Sequence, residues 1–222
     1  IILIDILLGG DNAVVIALAC RGLPQKQRKL GIIYGTAGAI VLRVILIAFA
    51  LALLAIPYLK LVGGLLLVWI GVKLLMPQDD HDDHSSIASS DKLWGAVKTV
   101  IVADLVMSVD NVLAIAGAAE SAGQHQLPLV IFGLIVSIPI IVAGSQLVLK
   151  LMDRFPLIIT LGAMLLGWIA GQMIFTDPGV KAHLPDAKVW EYAAAATGAL
   201  LVLLLGKGMA ARRSSETRAE SA

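Results

Sequence analysis

Two carboxylates and an amide stand where lipid chemistry would ordinarily allow only apolar side chains: Asp5, Asp11 and Asn12, inside the run IILIDILLGGDNAVVIALA. The chain spells the same polar word again in VIVADLVMSVDNVLAIAGA, where Asp104, Asp110 and Asn111 each follow their counterpart by 99 positions. A carboxylate at the centre of a bilayer costs about 3 kcal/mol on insertion scales, unless it faces a cavity, a cation or a proton, so intramembrane acids mark function by default. Helix capping or hydrogen bonding to a neighbouring helix could account for one such residue, but it leaves the doubled register unexplained.

Superposed, the two copies offer four carboxylates and two amide carbonyls, an all-oxygen set with no His or Cys in either motif. Hard divalent ions such as Mg2+, Ca2+ and Mn2+ take carboxylate, carbonyl and water oxygens, whereas zinc and copper recruit His or Cys. The ligand types point to a hard divalent cation as the substrate, with no resident cofactor, and do not separate manganese from calcium or magnesium. Four ionised acids exceed the charge of one divalent ion by two. Close like charges and burial both favour protonation, so the empty site is expected to hold protons and release them when metal binds.

On a straight helix Asp5 and Asn12 are nearly eclipsed while Asp11 sits about 120° away from Asp5. Gly9 and Gly10 lie between the acids and glycine tolerates unwound backbone, which predicts a local break that turns Asp11 toward Asp5. The second copy has Ser108 and Val109 there, a weaker break signal, with Ser108 a candidate auxiliary ligand.

The elements that must carry these residues are membrane helices. With 222 residues, 59% of them hydrophobic and 15% charged, and a mean hydropathy of +0.91, the chain is too apolar for a soluble domain of its size. Its partners are therefore the lipid bilayer and the transported ion. A net charge of +1 with no basic patch excludes a nucleic-acid footprint. The single cysteine, Cys20, excludes an internal disulfide and reads as a small apolar residue at a helix end. Ile1 opens directly on an apolar run, without a start methionine or a cleavable signal pattern, and a short native N-terminal stretch is expected to precede it.

Apolar runs long enough to cross a bilayer fall at 1–20, 31–55, 57–76, 95–119, 127–149, 156–175 and 190–211. The fold class is thus all-α, a polytopic membrane protein of seven transmembrane helices. Beyond the motifs, Gln25 and Gln27 match Gln124 and Gln126, Tyr34-Gly35 resembles Phe132-Gly133 with a one-residue slip, and Leu61 to Ile70 resembles Thr160 to Ile169, Trp69 matching Trp168. Each copy holds three spans. Because three is odd, the second copy enters from the opposite side, giving two inverted three-helix repeats plus one extra C-terminal helix, an arrangement that in transporters puts ion sites near the midplane. The domains are 1–76, the first repeat; 77–94, a polar cytoplasmic loop; 95–175, the second repeat; 176–211, an external loop and the seventh helix; and 212–222, a disordered cytoplasmic tail.

If these spans hold, thirteen Lys and Arg fall on one side and three (Lys60, Lys181 and Lys188) on the other, with Arg43 inside the second span. Cytoplasmic loops hold the excess, so the N-terminus is expected outside and the C-terminus in the cytoplasm. A charge at the depth of Arg43 is usually paired, which makes it a candidate charge partner for one of the acids. Gly35, Gly38, Ala39, Gly63, Gly64, Gly162 and Ala163 read as small residues at close helix contacts. The loop cluster Asp79, Asp80, His81, Asp82, Asp83 and His84 could collect divalent ions but reads better as a solvated linker.

The motifs Asp5–Asn12, DILLGGDN followed by AVVIALA, and Asp104–Asn111, DLVMSVDN, resemble the TerC family of integral membrane proteins, most closely its bacterial YjbE-type branch. The resemblance covers the transmembrane region and leaves out the 77–94 loop and the tail. It implies a seven-helix fold similar to the LysE transporter superfamily, a plasma (inner) membrane location, and efflux of metal ions, chiefly manganese, with an association with tellurite resistance. The family's acidic motif residues fall on Asp5, Asp11, Asn12, Asp104, Asp110 and Asn111. Two other readings stay open: an intramembrane aspartyl hydrolase using an Asp pair to activate water, and a non-transporting scaffold for membrane-protein assembly or metal delivery. Four symmetric acids, each DN pair ending in an amide, suit ion coordination better than a two-acid dyad. The expectation is accordingly not an enzyme. No ATP-binding P-loop is present, which disfavours a primary pump.

Overall fold

Long apolar segments set the architecture, and in the computed structural model they are all helices. The structure describes residues 2–49, 56–76, 86–120, 126–183 and 188–220. Within them the chain forms α1 (Ile2–Cys20), α2 (Gln25–Ala48), α3 (Leu59–Leu75), α4 (Ser86–Glu120), α5 (Gln126–Arg154), α6 (Leu157–Thr176), a single turn α7 (Pro178–Lys181) and α8 (Lys188–Glu220). By length and composition, four helical stretches among the described residues can cross a membrane: Gln25–Leu46, Val136–Arg154, Leu157–Thr176 and Lys188–Arg212. The outer surface agrees with a lipid solvent, since Val41, Val62, Trp69, Leu157 and Leu204 are all more than half exposed, a density of bare apolar side chains that water would penalise.

Three expectations need correction. The helix α1 runs unbroken through Gly9 and Gly10, so the break between Asp5 and Asp11 is absent. Helical glycine costs about 1 kcal/mol relative to alanine, whereas each unsatisfied backbone group in a lipid-like interior costs several, and permissiveness alone does not unwind a helix. Residues 86–94, expected within a loop, open α4, and residues 212–220, expected as a disordered tail, continue α8. Propagating an existing helix is far easier than nucleating one. The His/Asp cluster at 79–84 lies outside the described residues.

The core is built by helices that approach through small residues. Helices α3 and α6 run antiparallel: a Cβ placed on Gly64 would lie 2.8 Å from the carbonyl oxygen of Ala170, and one on Gly71 would lie 3.4 Å from that of Ala163. Helices α6 and α8 pack the same way, with Gly167 against Gly198 and Gly171 against Ala194, backbone to backbone. The main apolar cluster joins Val15 and Leu18 of α1, Leu67 and Ile70 of α3, Val100 and Met107 of α4, and Leu166 and Met173 of α6. The last long helix stands apart from it. Val202 of α8 is buried in a smaller cluster with Val72 and Ala163.

Around the motif helices the packing is reciprocal, since α1 lies along α5 and α2 lies along α4, while α1 and α4 also touch directly. Gly35 and Gly38 of α2 admit Val100 and Ile101 of α4. Arginines close the end where α1, α3 and α5 finish. Arg21 Nη2 donates to the Met76 carbonyl at 3.0 Å, and Arg28 donates to the carbonyls of Arg21 and Leu23 and pairs with Asp153 at 2.8 Å.

Candidate ion site

The second acidic motif is carried on one face of α4, where Asp104 and Ser108 are one turn apart and share that face. The Ser108 hydroxyl donates to Asp104 Oδ2 at 3.1 Å. Across the helix interface Arg43 of α2 donates from Nη2 to Asp104 Oδ1 at 2.6 Å and from Nε to the Ser108 hydroxyl at 3.2 Å. These three side chains are buried, Arg43 being 2% exposed, Asp104 6% and Ser108 0%. A charge pair removed from water is tolerable only when geometry and hydrogen bonding are good, and here each charged group meets two partners.

The first motif approaches from α1. Asn12 is buried, and its backbone N–H donates to Asp11 Oδ1 at 2.8 Å. Asp11, half-buried, stands beside Asn12 on α1. Asn12, Arg43 and Asp104 line one cavity of about 10 Å³ together with Ile16, Thr36, Ala39, Ile40, Ser137 and Ile141. That is room for one water-sized occupant.

Of the residues expected at the site, the structure therefore brings together Asn12, Arg43, Asp104 and Ser108, with Asp11 beside them. Asp5, Asp110 and Asn111 lie on α1 and α4, but their side chains are outside the described residues, so the full set of four carboxylates is not in view. Among the described residues no group of three or more His, Cys, Asp or Glu side chains converges as a metal cluster. Two hydroxyl residues were not anticipated. Thr36 lies seven positions before Arg43, on the same face of α2, and its buried Oγ1 has no hydrogen-bond partner among the described residues. Ser137, fully buried, precedes Pro139, which sits inside α5 and takes one backbone donor out of that helix. A lone hydroxyl in an apolar run was the only signal for either.

A bundle of apolar helices with a buried acid, arginine and hydroxyl triad beside a small polar cavity defines a multi-pass membrane protein with an internal charged site. Its family follows from comparison with known proteins. Residues 1–215 match the family model described as integral membrane protein TerC family. The chain is 45% identical to the membrane protein YjbE of Bacillus subtilis, over 78% of this chain and 77% of that one. It is 27% identical to YceF of the same organism, over 78% and 68%, and 21% identical to the inner membrane protein YgdQ of Escherichia coli, over 85% and 83%. No solved structure matches. The chain belongs to the TerC family.

Proposed function

We propose that the protein is a secondary transporter that exports divalent metal ions, Mn2+ foremost, through a midplane acidic site formed by the two D-x5-DN motifs, in exchange for protons. The observation that carries this reading is the convergence of Asn12 from the first motif and Asp104 from the second on one small polar cavity in an apolar bundle. Carboxylate, amide and hydroxyl oxygens are what a hard divalent cation selects. The lack of His and Cys in the motifs argues against softer metals. Manganese rests on the family resemblance.

In this reading the chain crosses the bacterial inner membrane seven times, with the N-terminus outside, and comprises two inverted repeats. The packing supports it. Under the 99-residue offset Gly64 corresponds to Ala163 and Gly71 to Ala170, so the two contacts between α3 and α6 are one contact seen twice. Gly63 and Gly162 are likewise counterparts, and each faces the motif helix of the other repeat, Gly63 at Val106 and Gly162 at Val14. Inverted repeats provide two related states by exchanging the conformations of their halves, which is what alternating access needs.

The test is flux. Proteoliposomes loaded with a divalent-sensitive dye should admit Mn2+ with the native protein and not with Asp11→Asn or Asp104→Asn, and a pH gradient should change the rate. Equal leak in native and variant vesicles, across pH and metal concentration, would remove transport by this chain.

A further inference from the structure

The Arg43 guanidinium is held against the Asp104 carboxylate. Both carboxylate oxygens hold a donor from within the protein, Oδ1 from Arg43 at 2.6 Å and Oδ2 from Ser108 at 3.1 Å. Arg43 Nε closes the ring on the Ser108 hydroxyl at 3.2 Å. A divalent ion placed beside this closed ring would face the guanidinium, and like charges in a poorly screened interior repel strongly.

The symmetry-related positions do not encode such a device. At the 99-residue offset the counterparts of Asp104 and Ser108 are Asp5 and Gly9, and at the one-residue slip seen for Tyr34-Gly35 the counterpart of Arg43 is Ile141. The same slip pairs Ala39 with Ser137, and all four of Ala39, Ser137, Arg43 and Ile141 line the cavity. One half of a pseudo-symmetric site therefore carries a built-in cation and a hydroxyl clamp, and the corresponding positions of the other half carry neither.

We propose that Arg43 is a tethered counter-cation that competes with the transported divalent ion for Asp104. This rests on the reading of Asp104 as part of the ion site. When the ion arrives, the guanidinium leaves Asp104. When the guanidinium returns, it helps to expel the ion, so Arg43 trades affinity for release. Ser108 is a positioning residue that holds the closed ring together. The neighbouring Thr36 hydroxyl, buried and without a hydrogen-bond partner among the described residues, is an acceptor on the same cavity wall for the displaced guanidinium.

The experiment is Mn2+ binding by titration calorimetry on the full chain in detergent, paired with Mn2+ efflux from proteoliposomes. Variants are Arg43→Gln, Arg43→Lys and Ser108→Ala, each checked for a monodisperse, helical product. Competition predicts that Arg43→Gln binds Mn2+ at least tenfold tighter while its efflux rate falls, and that Arg43→Lys lies between it and the native protein in both. Ser108→Ala should bind severalfold tighter, and it carries the test if Arg43→Gln fails to fold. Unchanged or weaker binding in a folded Arg43→Gln, or in Ser108→Ala, overturns the competition and leaves the transporter reading standing. A native protein that binds neither Mn2+ nor Ca2+ removes the transporter reading and this proposal with it.

Discussion

The Asp177 carboxylate accepts a hydrogen bond from the backbone N–H of Lys60, at 3.0 Å across 117 residues of chain. It also accepts from Tyr58, Leu61 and Gly179. One buried acid thus caps α7 locally and caps α3 from a distance, where Tyr58 turns the chain at φ 65 and offers no side-chain cap of its own. The first N–H groups of a helix lack intrahelical partners, and a carboxylate there is favoured by the helix dipole as well.

Replacing Asp177 by Asn removes one of two acceptor oxygens and the charge. Hydrogen bonds to a charged group contribute about 1.5–3 kcal/mol each, so Asp177→Asn should destabilise by about 2 kcal/mol and Asp177→Ala by more. Thermal unfolding in detergent checks the order. Transport should change little at temperatures where the variants remain folded.

The same acid predicts a pH dependence. Burial works against its charge, but the N–H donors of Leu61, Gly179, Tyr58 and Val180 more than offset that and hold its carboxyl below the usual range. A depressed folded pKa contributes stability that is present above the unfolded value of about 3.9 and is lost as pH falls through the lower folded value. The native protein should therefore lose more stability than Asp177→Asn between pH 5 and pH 3, each figure being an approximate bound on that window. Parallel loss in both would refute the assignment.

How much of this was legible in the sequence follows from where each interaction is encoded. The D-x5-DN register and the depth of Arg43 are local, and so is the boundary between the apolar runs 31–55 and 57–76, just past which α3 begins at Leu59. Asp177 drew no reading from the sequence, because nothing near it reveals that its donors include the backbone at residues 58–61. Thr36 and Ser137 matter only because α2 and α5 face one cavity, which is a tertiary fact. The glycine pair misled because glycine permits a break without requiring one.

That glycine pair yields a discriminating variant. A Cβ on Gly10 would meet nothing within 4 Å, so Gly10→Ala should leave packing intact and stabilise α1 by up to about 1 kcal/mol. If the transport cycle needs α1 to unwind at this point, flux will fall while thermal stability rises. If α1 works as the continuous helix seen here, flux will hold. Paired melting and Mn2+ flux curves separate the two.

Glycines at the last helix should behave oppositely. A Cβ on Gly171 would collide with the Ala194 carbonyl, and one on Gly198 with that of Gly167. These obstacles are backbone and cannot swing aside, so α8 must shift away from α6. Overpacking of this kind costs about 1–3 kcal/mol, and both Gly171→Ala and Gly198→Ala should melt earlier than Gly10→Ala by at least that margin. The Arg43–Asp104–Ser108 ring lies on α2 and α4, whereas this seam joins α6 and α8, so Mn2+ affinity in the folded fraction should be unchanged. A loss of affinity as large as the loss of stability would mean that α8 supports the Arg43–Asp104–Ser108 site, and would count against the proposed reading of two three-helix repeats plus an added span.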